Sequence, residues 1–314
     1  MPFTHDFLRH PCVSSAGSLI DALFPGVARS SRLKVSKAVI TAAGRDHNRV
    51  PLQVLVDSDG VEKPAIQIIL EEVASAGIDE AAIIITPADR ESYADSLKSA
   101  AVKVHFIEQP KPAGYGNALL CARDFVGSSA FLHLVSDHLY LSGRSERCAQ
   151  QLVDVARAEA CSVSAVQPTR ESMLPYYGTV GGKGIPNKPH LYQIEKVLEK
   201  PTPTVAEQEL IVPGLRAGYY LCFFGMHVLT GGVMNILANA QSAAKNGSLP
   251  LTPSLSELAA REKYLAYEVE GRRYNLGQKF GLLNTQLALG LAGRDREEIL
   301  SQIVEVLATR PNAK

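Results

Sequence analysis

The 314-residue sequence has no surplus of either charge: 32 Lys and Arg stand against 32 Asp and Glu. A protein that wraps a nucleic-acid duplex needs a basic excess, so no nucleic acid is expected among its partners. Apolar runs are short. None reaches the ~20 residues that span a bilayer, and the longest, Tyr219 to Leu229, is about half that. The first residues, MPFTHDFLRHPC, place Asp6, Arg9 and two histidines where an export signal has an uninterrupted apolar stretch. A cytoplasmic protein with no membrane partner is therefore expected. Cysteines are few, and Cys12, Cys121, Cys148, Cys161 and Cys222 are odd in number with no CxxC pair. They read as reduced thiols and exclude a disulfide frame or a zinc site. No second His or Cys stands at ligand spacing from His138, which argues against a metal there. Glycine is missing between Gly44 and Gly60, so the G-x-G-x-x-G turn of a dinucleotide-binding protein is absent. There is no internal repeat.

What is present is 46% hydrophobic against 20% charged residues, enough for a large buried core. Residues 1–34 form an irregular N-terminal extension, 35–293 the main domain and 294–314 a C-terminal helix. From Lys37 short apolar strands alternate with amphipathic segments. KAVITAAG, AAIIITP, VKVHFIEQ, AFLHLVSD and SVSAVQPT read as strands. Helices are expected over 64–77, 116–125 and 145–161. Strands separated by helix-length segments imply right-handed βαβ crossovers. The expected class is α/β: a mixed, mostly parallel sheet flanked by helices. After Thr169, Gly-rich PYYGTVGGKGIPNK and the strands YQIEKVLEKP and AGYYLCFFGMHVL indicate a small antiparallel lobe. Helices are expected again over 231–245 and 253–262, then a strand YLAYEVEG, then a helix that RRYNLG leads into and that ends near Gly293, and a last one over 294–309. The last carries Ile299, Ile303, Val306 and Leu307 on one face, which either joins copies into a homo-oligomer or packs on the protein's own sheet.

Ligands of an open parallel sheet bind beyond its carboxyl strand ends. Those positions hold Ala42-Ala43-Gly44, Gln109 with the turn KPAGYGNA (Gly114, Gly116), and Asp137. Further along come Tyr177-Gly178, Glu199-Lys200-Pro201 and Tyr274-Asn275-Leu276-Gly277. Each has a plain alternative: Gly114 serves its turn, Asp137 caps one, Lys200 is solvated, His138 packs, Tyr219 and Tyr220 are core. Their shared position at strand ends is what lets them converge.

In order, KAVITAAG, KPAIQIILEEVASAGIDEAAIIITP, FIEQPKPAGYGNALLCARDFVGSSAFLHLVSD, YYGTV, VLEKPTP and EGRRYNLGQKFGLLNTQLALGL resemble bacterial UTP–glucose-1-phosphate uridylyltransferases over roughly residues 37–290. The resemblance implies a Rossmann-like nucleotidyltransferase fold whose antiparallel lobe binds sugar. It also implies uridylyl transfer from UTP to a sugar 1-phosphate, glucose 1-phosphate by default, assisted by Mg²⁺. By motif, Ala42, Ala43 and Gly44 would line the nucleotide, and Gln109 and Gly114 would read uracil. Asp137 would hold Mg²⁺, His138, Gly178 and Glu199 would meet the sugar, and Lys200 its phosphate.

The departures lie in the triphosphate loop. The family's G-x-G-T-R is here Gly44-Arg45-Asp46-His47-Asn48, followed by Arg49, so Arg45 or Arg49 would supply the missing charge. The family's Tyr-Asp-x-Gly has Asn275, which brings no charge to a second metal position. Loss at Asp46, Asn48 and Asn275 keeps an alternative open: a catalytically impaired relative that binds nucleotide and acts as a regulatory or partner subunit.

Overall fold

In a computed structural model, which describes residues 33–44, 49–244 and 247–309, the first apolar run forms strand β1, Val35–Thr41. Residues 1–32 of the expected extension lie outside the described residues. A hairpin of β2 (Val54–Val56) and β3 (Glu62–Pro64) leads into helix α1, Ala65–Ser75. Pro64 caps that helix and Gly77, at φ +70°, turns the chain after it. Strand β4 (Glu80–Ile85) is buried at every position from Ala81 on, as a strand covered on both faces must be. Next come α2 (Arg90–Ser96), β5 (Lys103–Glu108), α3 (Tyr115–Leu120) and α4 (Arg123–Val126). The single helix expected over 116–125 is thus two, broken at Ala122, whose φ and ψ of −84° and 5° leave the helical region.

Strand β6 (Ala130–Val135) is followed by β7 (His138–Ser142), α5 (Cys148–Glu159) and β8 (Ser162–Arg170). The second half contains β9 (Gly178–Gly184), β10 (Leu191–Glu199), α6 (Pro203–Glu209) and β11 (Tyr219–Leu229). It closes with α7 (Gly232–Ala243), α8 (Thr252–Arg261), β12 (Tyr264–Glu268), β13 (Gly271–Asn275), α9 (Gly281–Ala292) and α10 (Arg296–Ala308).

Among the described residues nine strands form one sheet in the order β5-β4-β1-β6-β11-β8-β12-β10-β9. Only β5-β4-β1-β6 and the β8–β12 pair are parallel; β11 runs against β6 and β8, and β10 against β12 and β9. The sheet is therefore mixed, not mostly parallel. Nor is the lobe a separate excursion: β9 pairs back onto β11, with Val180 opposite Leu221 and Thr179 opposite Cys222, closing β11, β8, β12, β10 and β9 into a ring. Register shifts between Ile194 and Lys196 and between Phe223 and His227 supply the bends such closure needs. Gly225, at φ +91°, sits in the second of these, where a Cβ would strike His138 Nδ1.

A row of buried polar side chains crosses the sheet. His133 on β6 pairs in register with His227 on β11, and His227 with Ser164 on β8. Ser164 Oγ meets His227 Nδ1 and the Tyr264 hydroxyl, each at 2.5 Å. Burial pushes the His133 imidazole down from 6.5 to about 4 and holds His227 well below the usual range. An imidazole kept neutral by the fold contributes stability above its unfolded pKa, lost as pH falls toward the folded one. The urea midpoint should hold above pH 6.5 and drop on acidification to pH 4, His133 alone accounting for roughly 3 kcal/mol. In His133→Asn the slope should be shallower; an identical slope would exclude this histidine as its source.

Helix α10 packs on α9, Ile299 lying over Gly290, while Val306 and Leu307 stay exposed at 68% and 61%. Among the described residues no helix is long and apolar enough to cross a membrane.

Candidate functional site

The chain lays β4 and β5 on one side of β1 and then crosses to put β6 on the other. Loops from the ends of β1 and β6 therefore diverge and leave a crevice at this switch point. A cavity of about 430 Å³ occupies it. Thr41, Ala43 and Gly44 line it from the end of β1, and Val135, Ser136 and Asp137 from the end of β6. Gln109 follows β5, and Pro112, Gly114 and Tyr115 form the turn into α3. The structure thus gathers Ala43, Gly44, Gln109, Gly114 and Asp137 around one space. Ala42 lies just beneath, its N–H bonded to the Ile84 carbonyl at 2.8 Å.

Gln109 is 4% exposed, and its Nε2 donates to Asn117 Oδ1 at 2.7 Å, while Asn117 Nδ2 donates to Gln241 Oε1 at 3.0 Å. That chain fixes the carboxamide in one orientation at the cavity wall, as a specificity-giving polar group needs. The amino end of α3 does not serve the ligand: the N–H groups of Gly116 and Asn117 go to the Leu249 carbonyl at 2.8 and 3.3 Å. Gly114 stands at φ +102°, where a Cβ would lie 2.6 Å from Leu249 O. Gly114→Ala should cost roughly 1–3 kcal/mol in urea denaturation and weaken nucleotide binding by calorimetry. Wild-type values on both measurements would show that turn to be tolerant.

Tyr115 was not foreseen from sequence as a wall of this space. His133 Nδ1–H donates to the Val39 carbonyl at 2.9 Å, so its Nε2 accepts from the Tyr115 hydroxyl at 2.7 Å. The signal was an aromatic residue between two glycines at a strand-end turn. Thr41 and Ser136 were also missed.

The remaining expected residues are spread more widely. Asp137 shares the cavity, and its carbonyl accepts the Leu276 N–H at 2.8 Å, tying β6 to the end of β13. His138 points away from it, buried edge-on against Tyr140 and Tyr177. Burial and then the Arg273 guanidinium hold it below the usual imidazole range, against the pull of Asp137. Glu199 accepts from Thr252 Oγ1 at 2.6 Å, and a Cβ on Gly178 would lie 3.1 Å from its Oε2. Lys200 is exposed at the unusual φ of 45°, its N–H bonded to the Tyr177 carbonyl at 3.2 Å. Arg49 is exposed at the start of the turn Val50–Leu52 and does not line the cavity. Arg45, Asp46 and Asn48 lie outside the described residues. Lys63 is held by Asp57 at 2.6 Å and Glu71 at 2.7 Å.

Asn275 lines a second cavity of about 780 Å³, together with Tyr177, Tyr219 and Arg273. Its Oδ1 is engaged by the Gly277 N–H at 2.9 Å. Tyr219, expected as core, stands at this second wall, where its hydroxyl accepts from Arg170 Nε at 3.0 Å. Among the described residues no three His, Cys, Asp or Glu side chains form a metal-holding group. One carboxylate beside an open space suits Mg²⁺, which takes most of its ligands from phosphate and water, and does not suit a metal caged by protein.

Residues 50–287 match the Nucleotidyl transferase family. The Bacillus subtilis protein named UTP–glucose-1-phosphate uridylyltransferase YngB is 30% identical over 303 residues, 88% of this chain and 95% of that one. A Streptococcus pneumoniae protein named UTP–glucose-1-phosphate uridylyltransferase is 29% identical over 285 residues, 82% and 91% of the two chains. Among solved structures, a UDP-glucose pyrophosphorylase complexed with UDP-glucose superposes with a TM-score of 0.67 at 22% identity, covering 81% of this chain and 98% of the other. UDP-glucose pyrophosphorylase from Acinetobacter baumannii gives 0.70 at 22%, covering 87% and 100%.

Proposed function

The chain belongs to the nucleotidyl transferase family, and from that premise we propose that it transfers a uridylyl group from UTP to glucose 1-phosphate. A phosphate oxygen of glucose 1-phosphate attacks the α-phosphorus of UTP in line. The bond from that phosphorus to the β-phosphate bridge breaks, giving UDP-glucose and pyrophosphate. No protein nucleophile is needed; the work is alignment of two anions and relief of their repulsion.

The observation that carries this reading is the cavity itself, with the anchored Gln109 carboxamide and the Asp137 carboxylate both on its wall. In this reading Gln109 and Gly114 meet the uracil edge, and Ala42, Ala43 and Gly44 allow close approach of the nucleotide. Asp137 would hold Mg²⁺, whose charge, when bound, would offset that of the phosphates. Gly178 and Glu199 receive sugar hydroxyls, Lys200 the sugar phosphate, and Arg45 or Arg49 the triphosphate. Asn275 adds no second carboxylate, so among the described residues of the cavity wall Asp137 is the carboxylate on which metal binding would rest. The free thiols of Cys121, Cys148, Cys161 and Cys222 fit a reducing, cytoplasmic setting.

Pyrophosphate release from UTP and glucose 1-phosphate with Mg²⁺, run beside other nucleoside triphosphates and sugar 1-phosphates, tests the assignment. Turnover should be fastest with the named pair. No turnover with any pair, alongside binding of UDP-glucose, would replace it with the impaired, nucleotide-binding relative.

A further inference from the structure

The buried polar row that crosses the sheet ends at the wall of the first cavity, and uridylyl transfer as described gives that connection no role. His133 is the only polar side chain of β6, flanked by Leu132 and Leu134, and is fully buried. Side chains two apart on a strand share a face. His133 therefore lies one layer beneath Val135, and Val39, its register partner on β1, one layer beneath Thr41. Val135 and Thr41 line the cavity, whereas His133 does not reach it.

An aliphatic side chain at this position would be buried without polar cost, while an imidazole must find partners for both nitrogens. It finds them in different places. Nδ1–H donates to the Val39 carbonyl at 2.9 Å, which fixes the tautomer and leaves Nε2 as an acceptor for the Tyr115 hydroxyl at 2.7 Å. The His227 ring stacks on the imidazole, with centres 5.8 Å and planes 15° apart, and is itself held by Ser164 Oγ at 2.5 Å. The acceptor that Tyr115 meets is thus fixed by the sheet.

Tyr115 is 36% exposed and lines the cavity with Gln109 and Asp137. Its hydroxyl is engaged by the Thr41 side chain as well as by His133, and burial followed by the Asp137 charge keeps it protonated. With the hydroxyl turned into the protein, the ring is what the residue presents to a ligand. We infer that Tyr115 is a preset wall for the nucleoside part of a uridine nucleotide, and that His133, out of reach of the ligand, is the positioning residue that holds that wall. A side chain that must be ordered as a ligand binds lowers affinity about two- to tenfold, and the Tyr115–His133 bond removes that loss in advance. The inference rests on the uridylyl-transfer reading only for the identity of the nucleotide.

Calorimetry on the full chain with UTP and, separately, UDP-glucose tests it. Tyr115→Phe, which keeps the ring and removes the pin, should weaken both ligands about fivefold. His133→Asn, whose carboxamide can still donate to the Val39 carbonyl but falls short of Tyr115, should lose the same factor. His133→Gln, which carries an acceptor out to the Nε2 position, should recover most of it. Because His133 acts through one hydroxyl, Tyr115→Phe combined with His133→Asn should bind no more weakly than either alone. Thermal midpoints taken alongside separate a merely structural role, which predicts lower midpoints with nucleotide affinity unchanged, or losses that add in the double variant; either result overturns the inference. Should His133→Asn fail to fold, Tyr115→Phe and His133→Gln decide on the same readout. No pyrophosphate release by the wild type, with ligand bound and the variant pattern intact, would remove the catalytic reading and leave the pinned wall standing. Turnover with equal affinities in wild type and variants would do the reverse, and no binding of either ligand by the wild type overturns the inference.

Discussion

Asp137→Asn should lower kcat about 10³-fold while leaving the fold and base recognition intact. The residue follows β6 directly, and its contribution to structure runs through its main chain, whose carbonyl accepts the Leu276 N–H. Asparagine keeps that bond and nearly the same volume, so thermal midpoint should hold. The side chain, by contrast, lines the cavity and is the only carboxylate on its described wall. Its negative charge is what can retain a hard divalent cation between two phosphorylated substrates. Removing the charge should raise the Mg²⁺ concentration needed for half-maximal pyrophosphate release, with UTP binding in the absence of metal unchanged. Turnover within a few-fold of wild type at ordinary Mg²⁺ would remove Asp137 from the chemistry.

Which residues sequence reading could reach follows from how local their determinants are. The strands β1, β4, β5 and β6 were visible because a strand buried on both faces is apolar at every position, as Ala81 to Ile85 are. Their order of appearance also fixed which loops could converge, hence Ala43, Gly44, Gln109, Gly114 and Asp137 around one cavity. The closed ring was not legible. It depends on Val180 meeting Leu221 and on shifts in β10 and β11, pairings distant in sequence with no local mark. The β7–β13 pair was missed in the same way, since LYLS and RRYN are too short and mixed to announce strands. That miss mattered most at His138 and Asn275. Both are register partners in this pair, and pairing turns one into the core and engages the other in its own turn, where motif order alone had aimed them at ligand.

Lys200 offers the sharpest contrast between stability and activity. Its φ of 45° is a left-handed conformation that costs a side-chain-bearing residue about 1–2 kcal/mol relative to glycine. The chain is held there by the bond to the Tyr177 carbonyl and by buried Pro201 on its far side. A strained backbone bearing an exposed ammonium beside Glu199 has no packing reason to be lysine. Lys200→Gly should therefore raise the unfolding free energy measured in urea by about 1 kcal/mol, yet lower kcat/KM for glucose 1-phosphate about 10²-fold through loss of a charged phosphate contact. Lys200→Met, which keeps the stem and the strain, should lose the same activity without the gain in stability. In both, UTP affinity measured alone should match wild type, because Gln109 and Gly114, proposed to meet the base, line the cavity between β1 and β6, whose described wall does not include Lys200. If glycine stabilises and activity survives, the ammonium has no phosphate to hold, and the sugar phosphate is gripped by other cations.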